Sequence, residues 1–395
     1  MDRKKPILSI VIPEKDRYKY LLPLIKLIDS FHLTDTEIVI EDNSDDTRQW
    51  QEFISNNTIN TPIVYNSVKG QIPVKNNSEN AILHSNGEFV CCIGDDDAVM
   101  PNIEECVRWM KTNGVDSMRQ QIEITYKWPS YVDEQVGGML GATLSYNPSH
   151  SIIKRVDAEC AAEQVVKSNF SSLGHCPCVY HGIVARSVLD ELYNINGSFM
   201  PGPSPDMANA MALSFVVKHH CVTDIPFVIS GGSEYQGGRS SKVKSWVQPL
   251  SNIPFISEED KSKWNLRIPY LWTGPTVWAE SGLKGLYYVG RQDVAGQVDF
   301  DRIIVKVLLL LDNKNRRKLL AGEKNNRRNR ILFFYRKERL RLFLSRFKKW
   351  LVDVGVMHYN NDRITLSGVI SIGDAISLLK KNNDCSFNEK KELSL

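Results

Sequence analysis

Short apolar runs alternate with segments of helical spacing through the first 112 residues of this 395-residue chain. The runs are continuous and rich in β-branched residues, as buried parallel strands are, and they lie at residues 7–12, 37–40, 62–65 and 88–93. Helical spacing is found between them at residues 21–31, 47–56 and 78–85, and again after the last run at 102–112. This alternation predicts βαβ units, and therefore an α/β fold with a mostly parallel sheet flanked by helices.

Acidic clusters follow two of the predicted strands. One comprises residues 41–46, and the other is Asp95-Asp96-Asp97, preceded by Gly94. Parallel sheets bind ligands at the carboxyl ends of their strands, so both clusters should open onto one crevice. Three adjacent carboxylates repel one another unless a cation compensates, and a hard divalent ion prefers oxygen ligands.

Each cluster also has a simpler interpretation. The aspartate triplet could be a solvated acidic turn that caps the helix predicted at 102–112. In the first cluster, a carboxylate at the strand end could accept hydrogen bonds from a base or a ribose, whereas Ser44 or Asp46 could equally be an ordinary helix N-cap.

These segments resemble glycosyltransferase family 2 in their order and spacing. The resemblance rests on LSIVIP at 8–13, EIVIEDNSDDT at 37–47, and GEFV at 87–90, which leads to the aspartate triplet and Pro101. It covers roughly residues 7–110. It implies the GT-A fold, a bound Mn²⁺ or Mg²⁺, a nucleotide-diphosphate sugar donor with a UDP-sugar favoured, and transfer with inversion.

The resemblance also implies roles for individual residues. Pro13 would lie beside the nucleotide, and Asp42 would contact its base. Asp95 and Asp96 would lie near the ribose and the sugar. Asp97 would be the leading metal ligand, with Asp95 as a second ligand.

The chain departs from the family pattern at three places. After the first strand it has Glu14-Lys15-Asp16-Arg17 where Asn-Arg is common, and Gly94 stands where the acidic motif usually begins with Asp. The Arg-Asn pair that usually precedes the fourth strand is missing. These departures concern the contacts to the donor more than the class of reaction.

An inverting transferase also needs a base that deprotonates the acceptor hydroxyl. The family supplies a carboxylate at the start of a later helix, and the matching stretch here is 201–208, with Asp206 at the helix start. Asp206 is therefore the predicted catalytic base. The alternative is an N-cap or first-turn acid stabilised by the helix dipole, and the two roles are compatible.

Several motifs in the second half allow two interpretations. Residues 175–181 (HCPCVYH) could hold zinc, but Cys-x-Cys spacing is tight for tetrahedral coordination, so buried thiols with an acceptor-side histidine are favoured. A metal-ligand role for His219-His220 competes with a structural one. The glycine-rich stretch 231–241 is either a lid whose Arg239 grips a diphosphate or a plain linker. Four tryptophans could stack on sugars, although core packing is favoured for each: Trp246, Trp264, Trp272 and Trp278.

Basic residues are concentrated near the carboxyl end. Between Lys314 and Lys349 there are 15 Lys and Arg against two acids, a charge of +13, whereas the whole chain carries +3. In 326–354 apolar and basic residues interleave, which is typical of a helix on an anionic membrane surface. The alternative is a helix packed on the catalytic domain with a solvated basic face. Nothing else resembles a nucleic-acid module, so no nucleic-acid partner is expected.

The remaining features indicate where the protein acts. Its eight cysteines have no framework spacing, which favours a reducing cytosol. The first apolar run is too short for a signal peptide, and no stretch reaches the roughly 20 apolar residues of a membrane span. We therefore expect a cytoplasmic protein, peripheral on the inner face of the membrane, with a homo-oligomer possible through its terminal helices.

The sequence divides into three predicted regions. Residues 1–230 form the catalytic domain (nucleotide-sugar half about 1–112, acceptor half about 113–230), 231–300 a loop-rich lid or acceptor region, and 301–395 a basic helical region. The predicted function is metal-dependent inverting transfer of a sugar to a saccharide or lipid-linked saccharide in bacterial surface polysaccharide synthesis.

Two other functions compete with this one. A nucleotidyltransferase on a similar core would call for a glycine-rich phosphate loop after the first strand, and residues 13–20 contain no glycine. A non-catalytic, membrane-associated binding protein would tolerate replacement of Asp97 and Asp206.

Overall fold

The computed structural model describes residues 5–133, 138–139, 141–234, 247–353 and 362–387. Its first part alternates strands and helices: β1 (Leu8–Glu14), α1 (Tyr18–Asp29), β2 (Thr36–Asp42), α2 (Arg48–Asn56), β3 (Ile63–Ser67), α3 (Val74–Leu83), β4 (Phe89–Cys92), β5 (Ala98–Val99) and α4 (Ile103–Thr112). The four predicted strands and four predicted helices of this part are confirmed. The helices α1 and α3 begin a turn earlier than predicted.

The chain then continues with shorter elements: β6 (Ser117–Gln120), β7 (Ile124–Lys127), β8 (Val132–Asp133), β9 (Gly138–Met139), β10 (Thr143–Tyr146), β11 (Ile153–Val156), α5 (Ala158–Lys167), β12 (Gly182–Ala185), α6 (Arg186–Asn196), α7 (Pro205–Leu213), β13 (His220–Thr223) and β14 (Val228–Gly232). The predicted helices at 157–169 and 206–218 correspond to α5 and α7. The second of them is shorter than predicted and ends at Leu213.

The last part is mainly helical: β15 (Gln248–Pro249), α8 (Glu258–Ser262), β16 (Leu271–Trp272), α9 (Gly274–Tyr288), α10 (Gln292–Ala295), α11 (Phe300–Leu310), α12 (Asn313–Ala321), α13 (Asn325–Asp353), β17 (Ile364–Ser367) and α14 (Ile372–Asn382). The helix predicted over 301–320 is two helices. The first ends at Leu310, and Asp312 caps α12 by accepting from the Asn315 N–H at 2.8 Å. Helix α9 was not predicted, because the periodicity in 231–300 is weak. It begins with a capping box between Thr273 and Thr276.

Eight strands of the described chain form the larger sheet, in the order β11-β13-β6-β12-β4-β1-β2-β3. Strands β4, β1, β2 and β3 are parallel to one another, and β6 is parallel to β13. Strands β12 and β11 run in the opposite direction. The predicted α/β class with a mostly parallel sheet is confirmed. A smaller sheet, β17-β10-β7-β14-β5, lies beside the aspartate turn and brings β14 to it.

A second hydrophobic cluster joins α5, α7, α9 and α11. Helices α7 and α9 approach closely at Gly285, where an added Cβ would lie 2.5 Å from the Ala208 carbonyl oxygen and 3.0 Å from the Met211 Cβ. Only glycine permits this approach. The packing therefore fixes α7, whose first turn carries Asp206.

The end of the described chain returns to the larger core after α13. Strand β17 pairs antiparallel with β10, and α14 buries Ile372, Ile376 and Leu379 in the same cluster as the central strands. The predicted region 301–395 thus contributes to two parts of the structure. Helices α11 to α13 pack with one another, whereas β17 and α14 pack on the catalytic core. None of the described helices has the length and apolar character required to cross a membrane.

Candidate active site

Buried carboxylates converge on one edge of the larger sheet. The turn after β4 carries Asp95, Asp96 and Asp97, which are only 4%, 6% and 2% exposed. Strands β1 and β2 end at the same edge, at Glu14 and Asp42, because they run parallel to β4. The predicted convergence of the two acidic clusters is confirmed, and the interpretation of the triplet as a solvated turn is wrong.

Asp97 is held by four donors. Its Oδ2 lies 2.6 Å from the Gly94 N–H nitrogen, 2.9 Å from the Tyr180 hydroxyl and 2.6 Å from His181 Nε2. Its Oδ1 accepts from the Gly231 N–H at 2.7 Å. Burial favours a higher pKa for Asp97, but His181 and the two backbone amides outweigh it, so the pKa lies below its ordinary value. Asp97 is therefore a buried anion.

Strand β14 passes directly over the aspartate turn. A Cβ added at Gly231 would lie 1.7 Å from the Asp96 carbonyl oxygen, so this position tolerates only glycine. The close approach brings the Gly231 amide to Asp97. A residue of the glycine-rich stretch thus shapes the site through its backbone.

The HCPCVYH motif divides between the core and the site. Cys176 and Cys178 are fully buried, and burial raises the pKa of their thiols to about 11 and about 12. His181 adopts a φ of +58°, which is unusual outside glycine, and its ring stacks on Tyr180 at 4.1 Å while reaching Asp97. The interpretation as buried thiols with a site histidine fits this arrangement.

Arg17 provides the positive charge for the other two aspartates. Its Nη2 lies 3.1 Å from Asp95 Oδ1 and 2.8 Å from Asp96 Oδ2. The same nitrogen donates to the Ser233 hydroxyl at 2.6 Å, and that hydroxyl donates to Asp96 at 2.7 Å. The cation that the triplet requires is thus supplied partly by the protein, four residues beyond Pro13.

We expect Arg17→Met to destabilise the fold by about 3 kcal/mol near pH 8, because removing one partner of a buried ion pair leaves the other charges uncompensated. Burial already raises the pKa of Asp95 and Asp96, so the folded state retains protons that the unfolded chain has lost. Folded-state protonation favours folding at low pH, and this contribution is lost as the pH rises. The destabilisation should therefore be smaller near pH 5, as urea denaturation at both pH values will measure.

Arg48→Met is the matched control. Arg48 forms an ion pair with Asp46 on the exposed surface, and pairs of this kind contribute little to stability. It should leave the unfolding transition unchanged at both pH values. If Arg17→Met is as stable as the wild type near pH 8, Arg17 is not the counter-charge of the triplet.

Glu14 extends the acidic cluster beyond the family pattern. It is 1% exposed, and its carboxyl group lies within hydrogen-bonding reach of Asp95. Burial raises the pKa of Glu14, which favours a shared proton between the two groups. Its Oε2 has no hydrogen-bond partner within the described ranges, so a polar acceptor is available at the end of β1.

Asp42 is enclosed at the end of β2. It is fully buried, and its Oδ2 accepts from the hydroxyls of Tyr18 and, at 2.7 Å, Tyr65. Its Oδ1 accepts from the Ser44 N–H at 2.8 Å. Burial, together with the carboxylate, raises the pKa of both tyrosines. A base that contacts Asp42 would have to replace a tyrosine hydroxyl, so this contact stays a prediction.

The capping interpretation of the first acidic cluster is wrong for Ser44, which accepts from the Asp16 N–H at 2.8 Å. It is met in part by Asp46. Helix α2 has Thr47 as its N-cap, without a side-chain cap, but Asp46 Oδ1 accepts from the Arg48 N–H at the helix start at 3.0 Å. The same carboxylate pairs with the Arg48 side chain at the surface. Pro13, the predicted nucleotide neighbour, lies half-buried at the same sheet edge, opposite Glu41 in the β1–β2 register.

Asp206 is in the first turn of α7 and is partly exposed. Its Oδ1 accepts from the Met207 N–H at 2.8 Å and from the Ser204 hydroxyl. An acid at this position is favoured by the helix dipole. Asp206 is therefore a first-turn acid, as predicted. Its carboxylate also remains accessible for the predicted role as catalytic base.

Two hydrogen bonds connect α7 to the segment that carries His181. The Asp206 carbonyl oxygen lies 3.6 Å from Cys178 Sγ, and the Asn209 side chain accepts from the Val179 N–H at 2.9 Å. Asn209 is fully buried. These contacts place the start of α7 beside the segment that reaches Asp97.

The other predicted residues that the structure describes do not converge on this site. Arg239 and Trp246 lie outside the described residues. Trp264 is buried in the second cluster, and Trp272 and Trp278 pack against it, as core residues do. His220 is buried between two backbone carbonyls, and burial lowers its pKa to about 4, which fits the structural interpretation.

Sequence reasoning missed the role of Arg17, Glu14, Tyr18 and Tyr65. One signal was available for the first two, because residues that directly follow a buried parallel strand lie at the ligand-binding edge. The tyrosines on Asp42 gave no such signal, since their side chains reach it from α1 and β3.

Comparisons with known proteins agree with the architecture of the first part. Residues 9–132 match the family described as Glycosyl transferase family 2. The match includes β1, β2, β4 and the complete aspartate turn, and it confirms the resemblance seen in the sequence. The protein is a glycosyltransferase. The match covers about a third of the chain, and the larger sheet has the mostly parallel arrangement that the resemblance implies.

Several solved structures resemble this chain at low sequence identity. The structure described as S. aureus TarS 1-349 in complex with UDP-GlcNAc has 15% identity and a TM-score of 0.46, over 83% of this chain and 89% of that one. S. aureus TarS itself has 13% identity and a TM-score of 0.41, over 57% of this chain, and the chain spans only 37% of its length. A mycobacterial protein has 13% identity and a TM-score of 0.32, over 57% of this chain and 66% of that one. No curated protein matches the chain.

Proposed function

We propose that this glycosyltransferase moves a sugar from a nucleotide-diphosphate sugar to a saccharide or lipid-linked saccharide, in a metal-dependent inverting reaction. The observation that carries the proposal is the buried anion Asp97 beside His181, next to the start of α7 where Asp206 lies. A metal, a donor and a base would be required within one crevice. Bacterial surface polysaccharide synthesis is the role we propose for this reaction.

The donor would occupy the carboxyl edge of the larger sheet. Pro13 and Asp42 would lie towards the nucleotide, and Asp95 and Asp96 towards the ribose and sugar. The acceptor atom on Glu14 and the guanidinium of Arg17 add a hydrogen-bond acceptor and a positive charge at the same edge. A UDP-sugar is the first donor to test, and Arg239 is proposed to grip its diphosphate.

Asp97 and His181 are the residues that would hold a divalent cation, because an anionic carboxylate and an imidazole lie together there. In the described part of the chain no group of three or more His, Cys, Asp or Glu side chains is arranged as a metal site. Mn²⁺ and Mg²⁺ often need only one or two protein ligands, because water and substrate phosphates complete the shell. When bound, the ion would neutralise charge on the departing diphosphate. Asp95, the second predicted ligand, is paired with Arg17 instead.

Asp206 is the proposed base for the acceptor hydroxyl. Its carboxylate is partly exposed, and α7 is held in place by the close packing at Gly285 and by Asn209. A rigidly placed carboxylate at a helix start suits proton abstraction from a bound acceptor. We also propose that the enzyme acts peripherally on the inner face of the cytoplasmic membrane, where a lipid-linked acceptor would be presented.

Calorimetric titration with UDP, GDP, CMP and dTDP tests the donor and the metal together. We expect one of the four to bind, with at least about tenfold lower affinity when Mn²⁺ is omitted, because a divalent ion held by Asp97 would attract the negative diphosphate. Mn²⁺ alone, titrated into the protein, is the control for binding of the ion without nucleotide. If none of the nucleotides binds with or without Mn²⁺, the metal-dependent transferase proposal fails.

A further inference from the structure

Helix α13 consists of two halves with different surroundings. At 29 residues it is about 43 Å long. Its first half is fixed to α11, since Arg327 lies 2.8 Å from Asp301 and Arg330 lies 2.9 Å from Asp299. Ile331 is fully buried in the same contact. The first half is therefore part of the folded protein.

The second half is exposed over the part whose side chains the structure describes. All side chains from 339 to 348 are exposed, including four large apolar ones: Leu340 (57%), Phe343 (64%), Leu344 (53%) and Phe347 (47%). Their spacing of three, four and seven residues places these four on one face of the helix, which we call the apolar face. The Phe343 and Phe347 rings stack at 6.5 Å, as neighbours on one face do.

Basic side chains border the apolar face on both sides. At 100° per residue, Arg339 and Arg346 lie along one border, and Lys337, Arg341 and Lys348 lie along the other. Between 336 and 348 there are six basic residues and one acid, Glu338, which pairs with Arg341. An apolar stripe between two basic borders is the pattern of a helix that lies in the plane of an anionic interface.

We propose that the apolar face inserts into the headgroup region of a bilayer rich in anionic lipid. The charge distribution decides between this partner and a second copy of the chain, since the same spacing also suits a helix pair. Pairing two copies would bring their basic borders together, and like charges there oppose association. An anionic surface attracts each of these side chains, and the apolar residues reach the acyl boundary.

The helix is tied to the catalytic core beyond both of its ends. Before it, Asp301 and Asp299 hold the first half to α11. After it, β17 pairs with β10, and the Tyr126 hydroxyl donates to the Val369 carbonyl at 3.2 Å. Docking of the apolar face therefore holds the catalytic core at the lipid surface. That the core then acts on a lipid-linked acceptor rests on the proposed function.

Vesicle co-sedimentation with the full chain tests the proposal. Wild type is expected to bind vesicles of phosphatidylcholine mixed with phosphatidylglycerol, and to bind phosphatidylcholine alone at least about tenfold more weakly. The double variant Phe343→Ser with Phe347→Ser should lower binding to the mixed vesicles by about tenfold or more. Arg339→Gln with Arg346→Gln should lower it too and reduce its sensitivity to salt.

Leu342→Ser is the matched control, because Leu342 is exposed in the same half of α13 but lies off the apolar face. It should bind the mixed vesicles as the wild type does. Equal binding of the serine double variant and the wild type would overturn the proposal, as would equal binding to both kinds of vesicle. A dimer in sedimentation equilibrium that is lost in the double variant, without vesicle binding by the wild type, would assign the face to a second copy instead.

Nucleotide binding and vesicle binding together distinguish a failure of this proposal from a failure of the proposed function. Nucleotide binding by the Phe343→Ser with Phe347→Ser variant should equal that of the wild type, because these exposed residues take no part in the hydrogen bonds and ion pairs of the aspartate turn described above. Loss of vesicle binding with intact nucleotide binding concerns the apolar face alone. If the wild type binds vesicles but no nucleotide, the proposal for the apolar face stands and the proposed donor site is wrong.

Discussion

Asp97→Asn is expected to lower the rate of sugar transfer by about 100-fold or more. Asparagine has nearly the same shape, but it removes the charge that is proposed to hold the cation. It also turns one acceptor oxygen into an NH₂ group that faces donors: Gly231 on one side, or Gly94, Tyr180 and His181 on the other. Transfer to an acceptor and nucleotide binding, each measured with and without Mn²⁺, check the expectation.

The metal dependence identifies the cause of the loss. If Asp97 acts through the cation, the variant should bind the nucleotide equally with and without Mn²⁺, at the level of wild type without the ion. Loss of a buried charged hydrogen-bonding group should also cost about 1–3 kcal/mol of stability, so the urea transition is recorded alongside. A folded variant whose affinity still rises with Mn²⁺ would place the ion elsewhere.

Asp46→Asn is the matched control for this experiment. Asp46 belongs to the first acidic cluster of the sequence, but it pairs with Arg48 at the surface. Its replacement should change neither nucleotide binding nor transfer. His181→Gln provides a second variant if Asp97→Asn does not fold, because it removes the other candidate ligand and leaves the Asp97 carboxylate and its backbone donors unchanged.

The sequence was informative where local pattern decides structure. Strands β1, β2 and β4 are buried on both faces, so their apolar residues form continuous runs that can be recognised in the sequence. The aspartate turn after β4 follows from the same pattern, because polar residues that end a buried parallel strand lie at the ligand-binding edge. This is why the position of the aspartate turn at the sheet edge could be predicted to the residue.

The partners of the aspartates could not be predicted in the same way. Arg17 and His181 are 78 to 84 residues from the carboxylates they contact, and only the strand order β12-β4-β1 brings them together. The sequence indicated that the triplet needs a cation, and a bound metal was the simplest source. The structure supplies two protein groups as well, a guanidinium and an imidazole.

Helix α9 shows how close packing can conceal a helix. Glycine lowers helix propensity and suggests a loop, and weak periodicity in 231–300 pointed the same way. In α9, Gly285 is required because the Ala208 carbonyl of α7 occupies the space of a Cβ. The residue that weakens the local signal is the one that allows the tertiary contact, and sequence pattern alone does not distinguish the two cases.

Asp206→Asn is expected to lower the transfer rate by about 10²–10⁴-fold, the range for loss of a general base. Asparagine can still accept the hydrogen bonds from Met207 and Ser204, so the first turn of α7 should be retained. Loss of the acid's interaction with the helix dipole should cost only about 0.3–1 kcal/mol. Transfer rates and nucleotide affinity, measured on the same preparation, separate catalysis from binding.

The outcome distinguishes the two roles that the sequence left open for this residue. A base acts only on the acceptor, so nucleotide affinity and its dependence on Mn²⁺ should match the wild type. Asp97→Asn, in contrast, should bind the nucleotide more weakly and without dependence on Mn²⁺. Ser204→Ala is the matched control, because it removes the hydroxyl that bonds to Asp206 and leaves the carboxylate in place. It should retain most of the transfer rate. If Asp206→Asn transfers sugar as fast as Ser204→Ala, Asp206 only stabilises α7, and the base must be another group that reaches the acceptor.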